Sequence, residues 1–258
     1  MGVIDLPVDA SWAIGFLLVM IRVAAFAITS PLLGLAMPVT ARLSFTLALA
    51  LGFGSPVTGS FEVGDLVAAG AMNAMLGAAM GWITGLVLHQ FSVAGGILDL
   101  VSGLAVSQVF DPRMGDVSGV WNRMFHTVGM TMFVAAGGLG LMAGGLWASL
   151  QALPVAAGMA PRPGLSGFAL ELATSVIRSG VELALPIMGV MLMLELALGL
   201  AARFAPQANV FLLGLPAKLL AAITVVGSSW VLLPDVMDRI QRGFAANVEG
   251  VLRGFGAG

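Results

Sequence analysis

Four polar side chains lie at helical spacing in the second half of the chain, and side chains of these types could carry ions or protons. They are Glu171, Ser175, Arg178 and Glu182. Side chains three and four residues apart share one face of a helix. Ionisable groups along an apolar helix are typical of an ion or proton path. The alternative is a salt-bridge network within the chain or between subunits, because an Arg between two Glu residues nearly neutralises them.

Residue types that support catalysis or metal binding are scarce in this sequence. Cysteine is absent, and His89 and His126 are the only histidines. Neither has the spacing of a zinc ligand set, and no Ser or Thr has a plausible base beside it. We find no phosphate-binding glycine loop and no dinucleotide fingerprint. The sequence therefore predicts a protein that is not an enzyme and that uses no cofactor or metal.

The composition indicates a membrane protein. Of the 258 residues, 59% are hydrophobic and 9% are charged, whereas soluble domains carry about 25% charged residues. The formal net charge is -2 and no basic patch is present, so no nucleic-acid partner is expected. The first ten residues lack the positive charge of a signal peptide, so we expect the first apolar segment to be retained.

Apolar stretches of helical length follow one another, separated by Pro, Gly and charged clusters. Only helices and closed barrels satisfy the backbone in a bilayer, and the runs lack the alternation of barrel strands. We therefore predict an all-α, multi-helix, membrane-associated protein with a single domain over residues 1–258. Pro186 is expected to kink a helix or to end it. The predicted helices cover residues 10–30, 38–54, 65–91, 93–109, 120–150, 165–184, 186–203, 208–232 and 235–254.

Nearly every long apolar segment contains an ionisable or strongly polar residue. A charge that faces lipid at mid-bilayer costs about 2.5–3.5 kcal/mol. We therefore expect these side chains to face protein, water or one another, or their helices to lie outside the bilayer. The residues are Arg22, Asn73, Asp99, His126, Glu171, Arg178, Glu182, Glu195 and Lys218.

Small residues recur at helical spacing and form stripes that let two helix backbones approach closely. Such a stripe packs either within the chain or against a neighbouring subunit, and the sequence leaves both possibilities open. One stripe contains Ala69, Asn73, Gly77, Gly81 and Gly85, a second contains Ala136, Gly140 and Gly144, and a third, marked by polar groups, contains Gly96, Asp99, Gly103 and Ser107.

The segment "LALGLAARFAPQANVFLLGLPAK" (196–218) resembles the signature of the flagellar biosynthetic protein FliR family, the R-type subunits of the type III export gate. The resemblance extends over most of the chain through "TSPLLGLAMPVTARL" (29–43), "AGGILDLVSGLAVSQVFDP" (94–112), "LALPIM" (183–188) and the Leu-Pro pair before Gly158. The matching residues of the signature are Pro206, Gln207, Asn209, Phe211, Pro216 and Lys218. Many members have Gly-His where this chain has Gly138 and Leu139.

The resemblance implies a structural subunit of the flagellar export gate in the bacterial inner membrane and flagellar basal body. Long, kinked, hairpin-like helices would pack into a spiral assembly with P-type and Q-type subunits. A B-type switch protein and unfolded flagellar substrates would be further partners. In this assembly the polar stretch "RFAPQANVF" would be a turn satisfied by neighbouring protein, and the stripe of Gly77, Gly81 and Gly85 and the signature residues would serve subunit packing.

The family also places a plugging loop in the closed pore, which corresponds to residues 110–119 here. From the residues alone this segment is a solvated connection between two apolar helices. The resemblance instead implies a pore plug formed by Phe110, Asp111, Pro112, Arg113, Met114, Gly115 and Asp116.

Two other functions remain open from the sequence. The homologous R-type subunit of a virulence injectisome shares the "PQ.NVF" region, and gene neighbours would separate the two systems. Without the resemblance, an ion-coupled secondary transporter is the alternative, although transporters often contain an internal repeat with matching broken helices and none is visible here.

Overall fold

The computed structural model describes residues 10–34, 37–54, 56–57, 63–104, 119–156, 162–204 and 210–256. Within these ranges every regular element is a helix, which confirms the prediction of an all-α protein. The elements in chain order are α1 (Ala10–Thr29), α2 (Pro31–Gly34), α3 (Val39–Phe53), α4 (Val63–Ser102), α5 (Val120–Ala135), α6 (Gly138–Ala152), α7 (Leu165–Phe204), α8 (Val210–Ser229), a 3₁₀ turn (Trp230–Leu232) and α9 (Leu233–Gly254).

The helix boundaries predicted between residues 65 and 109 are wrong. A single helix of 40 residues, α4, replaces the predicted pair 65–91 and 93–109. It continues through residue 92 and ends at Ser102, where Gly103 adopts a left-handed φ of 81°. A residue with a Cβ rarely takes this conformation, so Gly103 ends the helix before its predicted limit.

The prediction of a single helix over residues 120–150 is also wrong, because two helices, α5 and α6, occupy this range. The break falls at Gly137, whose φ of 87° is left-handed. The amide of Ala136 still donates to the carbonyl of Met132, so α5 closes its last turn before the break.

The opposite correction applies around Pro186. The predicted helices 165–184 and 186–203 are one continuous helix of 40 residues, α7, with Pro186 in its interior. The sequence predicts that Pro186 either kinks the helix or ends it, and the continuous helix excludes an end at Pro186. An interior proline removes one helical hydrogen bond, and α7 nevertheless continues on both sides of Pro186.

Three helices are long and apolar enough to cross a membrane in the described part of the chain. They are Ser11–Thr29, Val63–Ser102 and Leu165–Phe204, and the number rises to five if each of two broken helix pairs counts as one span. The chain is thus a multi-pass membrane protein by the length and composition of its helices. A helix of 40 residues is about 60 Å long, twice the thickness of a hydrocarbon core of about 30 Å. Each of α4 and α7 is therefore longer than a single crossing of the bilayer requires.

The chain forms two compact units, each with its own core. The first contains Met1–Leu86, Gly137–Leu172 and Gln241–Gly258, and the second contains Val87–Ala136 and Ala173–Ile240. Whether they act as the expected single domain stays a prediction. Buried side chains of the first unit include Phe26, Leu76, Met142, Leu146 and Phe244. In the second unit Leu98, Trp121, Ile187, Met191 and Val226 pack together.

The last helix, α9, differs from the others because one of its faces is strongly polar. Met237, Ile240, Phe244, Val248 and Val251 form a buried apolar stripe at helical spacing. The exposed face carries charged side chains, including an ion pair between Glu249 and Arg253. Such a pattern is typical of a helix that packs one face on protein and turns the other to water.

Candidate functional site

The residues predicted to plug the pore lie outside the described part of the chain. This applies to Phe110, Asp111, Pro112, Arg113, Met114, Gly115 and Asp116. The described chain ends at residue 104 and resumes at residue 119, and Asp99 on α4 contacts the resumed part.

The carboxylate of Asp99 caps the beginning of α5. The side chain is only 3% exposed. Its Oδ1 accepts a hydrogen bond of 3.0 Å from the amide of Trp121, and its Oδ2 accepts one of 3.0 Å from the amide of Asn122. First-turn amides have no partner within their own helix, and the positive end of the helix dipole favours an anion there. Gly119, the residue before the helix, provides no side-chain cap of its own.

Close backbone approach makes this capping possible. A Cβ on Gly119 would clash with the carboxylate of Asp99, and a Cβ on Gly95 would lie 2.6 Å from Cα of Asn122. The side-chain amide of Asn122 donates a 2.8 Å hydrogen bond to the carbonyl of Ser92. Of the predicted polar stripe, Gly96 and Asp99 lie on the face of α4 on which α5 begins. Gly103 follows the end of α4, and Ser107 lies outside the described residues. Gly95, which the sequence does not single out, is the glycine of α4 that comes closest to the backbone of α5.

A second buried charge lies at the end of α6, in the first unit. Arg22 on α1 is fully buried. Its Nη1 donates to the carbonyl of Ser149 at 2.9 Å, and its Nη2 donates to the carbonyl of Leu153 at 2.8 Å. These carbonyls lie in the last turn of α6 and just after it, where a cation interacts favourably with the helix dipole.

Asn73 completes this arrangement. Its Oδ1 accepts a 2.8 Å hydrogen bond from Nε of Arg22, and its Nδ2 donates to the carbonyl of Val155 at 2.9 Å. Both polar side chains, which the sequence places in separate apolar segments, therefore bind each other and the backbone that follows α6.

The glycine stripe of α4 packs against α1 and α2 of the same chain. A Cβ on Gly77 would clash with the carbonyl of Arg22, one on Gly81 would lie 2.6 Å from the carbonyl oxygen of Phe26, and one on Gly85 would lie 3.2 Å from Cγ of Pro31. Of the two possibilities left open, packing within the chain is present on this side. A contribution of Gly77, Gly81 and Gly85 to subunit packing stays a prediction.

The second predicted stripe faces open space. A Cβ on Gly140 or on Gly144 would meet no atom within 4 Å. Ala136 is likewise exposed and lies at the break between α5 and α6.

The family signature is only partly described. Pro206, Gln207 and Asn209 lie outside the described residues, as does the side chain of Phe211. Pro216 lies inside α8 and is exposed. Nζ of Lys218 lies 2.6 Å from Oε1 of Glu195 on α7, with 21% and 46% of the two side chains exposed. Two charges that lie in separate apolar segments of the sequence are thus paired in the structure.

The four polar residues at helical spacing on α7 lie on an exposed face. Glu171, Ser175, Arg178 and Glu182 are all exposed, and Nε of Arg178 lies 3.0 Å from Oε1 of Glu182. The ion pair fits the salt-bridge alternative. Within the described chain these side chains do not line an enclosed path.

The residues described here offer no cluster for a metal ion, since no group of three or more His, Asp or Glu side chains converges among them. The polar groups near the core cap helices and hold backbone instead. Together with the long apolar helices, this defines a helical, multi-pass membrane protein in which Arg22, Asn73 and Asp99 bind backbone groups.

Comparison with known proteins identifies its family. Residues 13–244 match the family described as bacterial export proteins, family 1, and the chain belongs to this family. It is 30% identical to the flagellar biosynthetic protein FliR of Aquifex aeolicus over 245 residues, covering 91% of this chain and 92% of the relative.

Two further relatives define the breadth of the family. The flagellar biosynthetic protein FliR of Bacillus subtilis is 29% identical over 211 residues, covering 79% of this chain and 81% of the relative. The surface presentation of antigens protein SpaR of Shigella flexneri is 28% identical over 152 residues, covering 59% of this chain and 58% of the relative. The flagellar relatives thus match over more of their length.

Proposed function

We propose that this chain is a structural, non-enzymatic subunit of the flagellar type III protein export gate. It forms part of the channel through which unfolded flagellar proteins cross the bacterial inner membrane. The match to the export family over residues 13–244 carries this proposal. Flagellar relatives that cover up to 91% of the chain favour the flagellar system over the injectisome, whose relative covers 59%.

The surface of α7 supports a role in an assembly. Only 17% of its most apolar 18 residues are buried within the chain. Large apolar side chains remain exposed along its second half, among them Met193 at 72% and Phe204 at 82%. A helix of about 60 Å cannot hide all of this surface in lipid of about 30 Å. Neighbouring protein is the natural cover for the remainder.

P-type and Q-type gate subunits are the proposed neighbours, and a B-type switch protein is a further proposed partner. The signature residues Pro206, Gln207, Asn209 and Phe211 would take part in these contacts. Segment 110–119 would be the plug that keeps the pore closed, and unfolded flagellar substrates would displace it.

Assembly with these subunits is the test. Gly199 lies on the exposed face of α7, and a Cβ there would meet no atom of this chain within 4 Å. We therefore expect Gly199→Leu to keep the fold of the chain and to probe what lies outside it. We expect the parent chain to co-purify with the P-type and Q-type subunits in detergent. Overpacking costs about 1–3 kcal/mol, so the yield of this complex should be at least about tenfold lower with Gly199→Leu.

Gly243→Leu on α9 is the matched control, because a Cβ there also meets nothing within 4 Å of this chain. It lies on the helix with the water-facing polar side, and its complex yield should equal that of the parent. If the parent chain purifies alone as a monodisperse helical monomer and does not bind the P-type and Q-type subunits, the proposed function is wrong.

A further inference from the structure

The half-buried side chain of Arg42, near the beginning of α3, binds backbone carbonyls that precede this helix. Its Nε donates to the carbonyl of Leu33 at 3.2 Å, and its Nη2 donates to the carbonyls of Gly34 and, at 3.4 Å, of Met37. The last carbonyls of a helix have no partner within it, and a cation there is favourable. One guanidinium on α3 thus holds the end of α2.

The short helix α2 is itself held by α1 and α4. The amide of Ser30 donates to the carbonyl of Phe26 at 3.0 Å, and the amide of Gly34 donates to the carbonyl of Ser30 at 2.6 Å, so α2 follows directly from α1. On α4, a Cβ on Gly85 would lie 3.2 Å from Cγ of Pro31. The carbonyls at the end of α2 therefore belong to a turn whose position is set by its neighbours.

The other end of α3 meets the beginning of α1. The amide of Val57 donates to the carbonyl of Ser11 at 3.2 Å. A Cβ on Gly54, the residue after α3, would lie 3.8 Å from the rings of Trp12 and Phe16. The helix α3 therefore runs back along α1, and the two helices are antiparallel.

We propose that Arg42 is a positioning residue that sets the direction in which α3 leaves α2 and so pairs α3 with α1. It is the one charged side chain of Val39–Phe53. A planar guanidinium that binds several carbonyls restricts the angle between α2 and α3. Apolar contacts alone would not do so, because the hydrophobic effect is not directional. The inference goes beyond the proposed function, since it concerns the first three helices and needs no partner subunit.

A disulfide between α1 and the end of α3 tests this role. The chain contains no cysteine, so the pair Ser11→Cys and Val57→Cys forms the only possible crosslink within it. The pair is introduced into the whole chain in four backgrounds: parental, Arg42→Met, Arg42→Lys and Ser44→Ala. The last is the control, because Ser44 is exposed and its hydroxyl binds the carbonyl of Thr40 on the same helix.

We expect disulfide formation to be at least about tenfold slower in Arg42→Met, because hydrogen bonds from a charged group are among the stronger ones in proteins. Arg42→Lys should recover part of the rate, since an ammonium donates to carbonyls but lacks the planar fork. Ser44→Ala should crosslink at the parental rate. The helix content of all four chains should be the same.

An Arg42→Met chain that crosslinks at the parental rate would overturn the proposal, and so would an Arg42→Lys chain that is no faster than Arg42→Met. A parental chain that does not crosslink would refute the pairing of α1 with α3. Loss of helix throughout the Arg42→Met chain would also overturn the proposal, because Arg42 would then be a requirement of the whole fold. The crosslink involves this chain alone, so each result stands apart from assembly with the P-type and Q-type subunits, which tests the proposed function.

Discussion

Nε of Arg22 lies 2.8 Å from Oδ1 of Asn73, and the two side chains together bind the backbone at the end of α6. The pair joins α1, α4 and α6 within the first unit at a site where Arg22 is fully buried. Its hydrogen bonds supply partners to carbonyl groups that a helix end leaves free.

Replacing Arg22 by Met should strongly destabilise the chain, because Met fills similar space but leaves the carbonyl of Leu153 and Oδ1 of Asn73 without their donor. Each buried acceptor left unsatisfied costs about 1–3 kcal/mol. The free energy of unfolding in detergent should fall accordingly. Arg22→Lys should recover only part of the loss, because a Lys ammonium cannot reproduce the planar fork of donors. Equal stability of parent and Arg22→Met would contradict this role.

Gly81→Leu should disrupt the chain itself. Its Cβ would lie 2.6 Å from the carbonyl oxygen of Phe26 and 3.0 Å from the amide nitrogen of Ser30. Overpacking of this kind costs about 1–3 kcal/mol, so we expect lower thermal stability of the isolated chain and a lower yield of complex. Gly243→Leu is the control, because a Cβ at Gly243 would meet no atom of this chain within 4 Å. A Gly81→Leu chain of normal stability that assembles normally would show that α1 and α4 can separate without cost.

The ion pair of Glu195 and Lys218 should behave as a coupled unit. Removing one partner leaves the other charge uncompensated on an apolar helix, which is costly. We expect Glu195→Gln and Lys218→Met each to reduce complex yield, and the double variant to lose less than the sum of the two. Groups in direct contact typically show coupling of about 0.5–3 kcal/mol. Strict additivity of the two single losses would mean that the pair has no energetic role.

The sequence predicts much of the helix content but not all of the helix ends. Helices are predicted to begin at residues 10, 120 and 165, and α1, α5 and α7 begin there. The errors concentrate at Gly137, Pro186 and the segment around Ser92. Glycine and proline permit a break without requiring one, and tertiary contacts decide which occurs.

The sequence identifies the buried and paired polar residues by their type but does not identify their partners. Arg22, Asn73, Asp99, Glu195 and Lys218 all stand out because a polar group in an apolar helix needs a partner. The sequence does not identify that partner when it is a backbone group, as it is for Asp99 at Trp121 and Asn122. Gly95 escaped notice because a single glycine in a helix carries no signal of what approaches it.

The central claim, that this chain helps to form and close an export pore, is tested most directly by ion conductance. The complex with the P-type and Q-type subunits is reconstituted in lipid vesicles, with the parent chain and with a chain lacking residues 113–118. A simple connector tolerates shortening because loop length affects closure entropy only weakly, so the deletion should still assemble. We predict that the parent complex is tight and that the assembled deletion complex conducts ions and small solutes. An assembled deletion complex as tight as the parent would contradict the plug and leave the segment a connector between α4 and α5.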